Sequence, residues 1–143
     1  ARAHHLRRWA VPRASYHDGR AGYLRWRTEL KNRHADEVGV ILASVGYDDD
    51  TIGRVQQIIR KEGRTSDPAV QTHEDALCLV FLATQFRALA DDLGDDHTVE
   101  VLQKTTAKMS PAGLAMAATL AFDEVEQSLL TRALNPDEKP PTT

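Results

Sequence analysis

Apolar residues along this chain recur three and four positions apart, and no strand-like alternation persists beyond a few residues. The spacing predicts helices separated by Asp, Ser, Pro and Gly. Residues 2–9 read as the end of a helix, broken at Val11-Pro12 because proline lacks a donor and restricts the residue before it. From about Arg20 to Ser44, the positions Leu30, His34, Val38, Ile41, Leu42 and Val45 share helical spacing, and Gly46 supplies a stop. Asp48, Asp49 and Asp50 offer cap oxygens and negative charge to a helix ending near Arg60, with Ile52, Val55, Ile58 and Ile59 as its apolar stripe. Val70 to Asp91 is apolar around much of its circumference, which predicts one long central helix. Asp95-Asp96, Ser110-Pro111 and Asp123 then open three more, ending near Met109, Leu120 and Leu134.

These elements predict an all-α, single-domain bundle of about six helices over residues 1–134, with residues 135–143 as a disordered tail. Ile41, Leu42, Val55, Ile58, Leu79, Leu82 and Phe86 are its expected core. The longest apolar run, Ala76 to Ala83, falls well short of the roughly 18 residues a membrane span requires, so no membrane partner is expected. The single cysteine, Cys78, excludes an internal disulfide and a Cys-based zinc site, and fits a cytoplasmic location. The chain reads as if entered in mid-helix, so helical sequence is expected ahead of Ala1.

Charge adds what periodicity does not. The net charge of -3 conceals a first segment, residues 1–33, with nine basic side chains against Asp18 and Glu29; its balance of +7 leaves -10 for the rest. Such a segment attracts phosphates or an acidic partner, or docks on acidic helices of its own chain. Arg7, Arg8, Arg13, Arg25, Arg27 and Lys31 are the candidate phosphate ligands. Trp9, Tyr16, Tyr23 and Trp26 are interleaved with the arginines, so the alternative is a noncatalytic module binding RNA or an acidic protein through residues 7–33. The glycines have neither P-loop nor dinucleotide spacing.

Two polar residues fall on apolar faces. His34 shares a stripe with Leu30, Val38 and Ile41, and Asp75 stands four, seven and eleven residues before Leu79, Leu82 and Phe86. A carboxylate so placed needs a partner to stay ionised. Either His34 and Asp75 form an internal pair, or they are part of a metal or phosphate site with His5 as the third member. Imidazole and carboxylate suit a divalent metal, although none is firmly expected from so few ligands.

The stretches Arg7-Arg8-Trp9, Pro12-Arg13, Tyr23 to Thr28, Leu30-Lys31, Gly46-Tyr47, Asp67-Pro68, Gln71-Thr72, Glu74-Asp75 and Lys108 to Pro111 resemble an uncharacterised family, domain of unknown function 4202, from about Ala1 to Leu134. More distantly, residues 34–75 resemble the HD-domain phosphohydrolases, all-helical metal enzymes. The shared rhythm is a histidine, an apolar helix, Gly46-Tyr47-Asp48, an Ile-Ile-Arg helix end and Glu74-Asp75-Ala76. That resemblance implies an HD-like bundle with His5, His34 and Asp75 at metal-ligand positions, converging on one pocket with Arg7, Arg8 or Arg27 at its mouth. It also puts Leu6 where the doublet's aspartate belongs and Lys61 at a later histidine, so the metal motif is degenerate. The expected function is binding of a phosphorylated small molecule or nucleotide, with any hydrolysis weak.

Overall fold

The computed structural model describes residues 5–135; the expectations for residues 1–4 and for the tail from residue 136 lie outside the described residues. Every regular element among the described residues is helical: two single turns of 3-10 helix, Arg8–Ala10 and Arg13–Ser15, then α1 (Arg20–Ser44), α2 (Asp49–Arg60), α3 (Pro68–Thr84), α4 (Phe86–Leu93), α5 (Asp95–Thr106), α6 (Pro111–Ala117) and α7 (Glu124–Leu134). None is long and apolar enough to cross a membrane. The chain divides into two compact units, residues 1–73 and 74–143, with the boundary inside α3 and no linker at it.

In the first unit the helix end expected before Val11 is instead a turn and a short 3-10 helix, entered through Arg7 in the left-handed region (φ 46). The segment folds back onto α1. Trp26 Nε1 donates to the Val11 carbonyl at 2.8 Å, and Val11, Trp26 and Leu30 form a small core with Tyr16 against it. Gly22 makes this fold-back possible, because a Cβ there would stand 1.9 Å from the His17 carbonyl oxygen.

The buried positions of α1 are Gly22, Trp26, Leu30, His34, Ala35 and Gly39. Ile41, expected in the core, is 47% exposed, and Val40 and Val45 are more exposed still. The correction has a geometric cause. The small residues Ala35 and Gly39 admit the close approach of α2: Gln56 donates to the Ala35 carbonyl at 3.1 Å, and a Cβ on Gly39 would meet Gln56 Nε2 at 2.4 Å. Two residues on from Gly39, Ile41 has turned by about 200° and lies on the far side of the helix. Leu42, Val55 and Ile58 are half-buried, and Ile59 is the buried residue of α2.

Asp48 caps α2, accepting from Thr51 N at 2.7 Å and Thr51 Oγ1 at 3.0 Å. The helix ends on Lys61, which is left-handed at φ 56 although its side chain carries a Cβ. Arg60 pairs with Asp36 at 2.5 Å, and Arg54 holds Asp67 through both guanidinium nitrogens while Asp67 Oδ1 accepts from Ala69 N.

The second unit is built around one apolar cluster of Cys78, Leu82, Phe86, Ala90, Leu102, Met109, Leu129 and Ala133. Phe86 is fully buried and meets Phe122 edge-on, with centroids 6.0 Å apart. Leu82 and Phe86 are core residues as expected, and Leu79 packs against the cluster half-buried. The long helix expected over Val70–Asp91 is interrupted: Gln85 leaves helical geometry (φ -127, ψ -16) and α4 begins anew at Phe86. Ser110 and Asp123 cap α6 and α7 as expected, the latter in a capping box with Glu126.

Candidate functional site

One face of α1 presents Leu24, Arg27, Thr28, Lys31 and His34, spaced three and four residues apart. With His5 and Arg8 from the turn before α1, Leu30, and Ile59 and Lys61 from the end of α2, they line a pocket of about 150 Å³. Two imidazoles and four cations, Arg8, Arg27, Lys31 and Lys61, therefore surround one small space. No carboxylate is among the described residues that line it.

Arg8 is held in place by two contacts. Its guanidinium lies over the Trp26 ring, 4.7 Å from the centroid, and its Nη1 stands 3.2 Å from His5 Nδ1. Since a guanidinium only donates, Nδ1 is the acceptor in that bond and the neutral ring carries its proton on Nε2. Burial, then the charges of Arg8 and Arg27, push the His5 pKa below its usual 6.5.

His34 is the buried member, 3% exposed, and its Nε2 has no hydrogen-bond partner. Burial pushes its pKa below 6.5; Glu37 opposes that push, His5 and Arg8 add to it, and the Leu6 backbone opposes it. Glu37 gives Oε1 to Arg33 at 2.8 Å and leaves Oε2 buried and unpartnered. An anion placed beside a neutral imidazole of this kind would favour the protonated ring.

Of the candidate phosphate ligands, Arg8, Arg27 and Lys31 reach this pocket. Arg13 instead donates to the Tyr16 carbonyl at 3.0 Å. Arg25 lies along a broad groove of α1 that also carries Glu29, Arg33, Asp36 and Glu37, and Arg7 is exposed on its left-handed turn. Lys61 was not among the sequence candidates; the signal for it was a long cation placed directly after the last turn of α2.

The three expected metal ligands are distributed differently. His5 and His34 share the pocket of the first unit. Asp75 belongs to the second unit, where Oδ1 accepts from Ser110 N at 2.8 Å and Oδ2 from Ser110 Oγ at 2.6 Å, and Ser110 Oγ in turn accepts from Gly113 N. Among the described residues no group of three His, Cys, Asp or Glu side chains is placed to hold a metal ion.

Fold and site thus define an all-α protein with a basic, imidazole-floored pocket in its first unit. Residues 1–130 match the model of the family described as Domain of unknown function (DUF4202), and the chain belongs to that family. No curated protein and no solved structure matches it.

Proposed function

We propose that the first unit binds a phosphorylated small molecule or nucleotide through the pocket of His5, Arg8, Arg27, Lys31, His34 and Lys61. The observation that carries this reading is the composition of the lining: four cations and two imidazoles with no carboxylate among the described lining residues. Charge-assisted bonds from arginine forks and lysine ammonium groups to phosphate oxygens are the strong ones. The reading is of binding. Among the described residues that line the pocket there is no carboxylate or thiol, and the side chains that could move a proton there are His5 and His34. The HD-like character of the bundle belongs to the same proposal, with Leu6 and Lys61 marking its departure from a metal enzyme, as does a cytoplasmic location, supported by the lone Cys78.

Thermal unfolding with inorganic phosphate and adenosine monophosphate tests it. Saturating anion at about 100 times its Kd should stabilise the protein by about 2.7 kcal/mol, and Arg27→Ala with Lys31→Ala should remove the shift. A folded protein that none of these ligands stabilises contradicts the proposal. A second reading, a module for RNA or an acidic protein, is favoured by Trp9, 78% exposed beside Arg7 and Arg8, and by exposed Tyr23. Steeply salt-dependent RNA binding that is lost in Trp9→Ala would establish it instead.

A further inference from the structure

Resting on the phosphate reading of this pocket, we propose that its ligand is a terminal phosphate carrying a short organic group, and that His34 Nε2 donates a hydrogen bond to it. Space sets the first limit. Pockets that enclose whole drug-sized ligands run to about 300–1,000 Å³. This one, at about 150 Å³, has the volume of a cavity that holds benzene. A phosphate with a stub of two or three carbons fills that volume, and any larger group would extend through the pocket's open mouth.

Charge sets the second. The cations come from three places, Arg8 in the turn before α1, Arg27 and Lys31 on α1, and Lys61 at the end of α2, so they approach one group from several sides. A terminal phosphate offers three oxygens and close to two negative charges to such a set. An internal diester offers one charge and must leave the pocket at both ends. Lys61 adds a sign that its position is specified, since it occupies a left-handed helix end that glycine takes more easily.

The floor supplies the third. His34 is buried, lines the pocket and leaves Nε2 without a partner, a cost that one phosphate oxygen removes once the ring carries a second proton. The groups that face it are His5 and Arg8 from the preceding turn, Arg27, Lys31 and Glu37 from α1, and Lys61 from α2. Empty, the ring is held neutral mainly by burial, with Arg8 and His5 adding to it. A dianion offsets the positive neighbours, so binding draws a proton from solvent and affinity rises as pH falls.

Calorimetric titration of the whole chain separates these claims. Methyl phosphate should bind at least about tenfold more tightly than dimethyl phosphate, and adenosine monophosphate no more tightly than methyl phosphate. Sulfate, a dianion throughout, should gain about tenfold between about pH 8 and about pH 6, and His34→Gln should flatten that gain. Should His34→Gln not fold, Lys61→Gly provides the check and must weaken methyl phosphate about tenfold. Equal affinity for the two methyl phosphates, or an unchanged pH dependence in folded His34→Gln, overturns this proposal and leaves anion binding standing. No binding by any of these anions overturns both.

Discussion

His34 and Asp75 present the same pattern in the sequence, a polar side chain on an apolar helical face, and the two units treat them in opposite ways. In the second unit both Asp75 oxygens are taken up by Ser110, whose hydroxyl also caps α6, and Gly113 leaves no Cβ to obstruct them: one there would lie 2.7–3.0 Å from the carboxylate. In the first unit His34 Nε2 has lost water and gained nothing, beside a pocket ringed by cations. Burial of a polar group without a partner is destabilising, and the proposed ligand would remove that cost at His34. On the proposed reading, the difference separates a residue that builds structure from a residue that binds a ligand, and spacing alone does not draw that line.

The comparison breaks most visibly in the apolar core of the second unit. Phe86→Ala should cost about 3–5 kcal/mol in chemical denaturation, with sulfate affinity of the folded protein unchanged because every pocket residue lies between His5 and Lys61. A loss of affinity would mean that the pocket depends on that core.

Next in size is Asp75→Ala, which strands the Ser110 donors and should cost about 1–3 kcal/mol without weakening sulfate. Retained stability with lost binding would place Asp75 in the site and reverse its assignment.

The fold was legible where chemistry is local. Asp48, Ser110 and Asp123 announce their helices through oxygen atoms that bond backbone N–H groups two or three residues away, and all three do so. The break at Gln85 was not legible, because Thr84 and Gln85 are both acceptable in a helix and no glycine or proline marks the place where the backbone leaves helical geometry. Ile41 misled for a related reason. Large apolar side chains mark a stripe by their size, whereas the packed stripe of α1 is set by the smallness of Ala35 and Gly39. At the site, the basic segment and His34 were visible as types of residue, but which cations converge depends on the Trp26–Arg8 stack and on the end of α2, both products of tertiary packing.

Smaller effects sharpen the contrast inside the first unit. Lys61→Gly removes a side chain from a left-handed position, a gain of about 0.5–1 kcal/mol once the greater freedom of glycine in the unfolded chain is deducted, while anion affinity falls. Stability and binding moving together would argue against a functional reason for lysine there. The smallest expected effect concerns Asp67, whose carboxyl the Arg54 hydrogen bond, aided by the N–H groups of Ala69 and Val70, lowers from 3.8 to about 2. A carboxylate depressed in the folded state contributes its full stabilisation above about pH 3.8 and loses it as pH falls through about 2. Arg54→Ala should therefore begin acid unfolding at higher pH, read by circular dichroism; an unchanged acid midpoint would show that the pair contributes nothing.

The most direct test of the proposed anion pocket is the pH titration of the His34 ring nitrogens by NMR, with and without inorganic phosphate. Without phosphate the ring should titrate below 6.5. With phosphate bound, its pKa should rise and the Nε2 resonance should take on the shift of a protonated donor. A His34 titration that phosphate leaves unmoved, in a protein shown to be folded, would contradict the account.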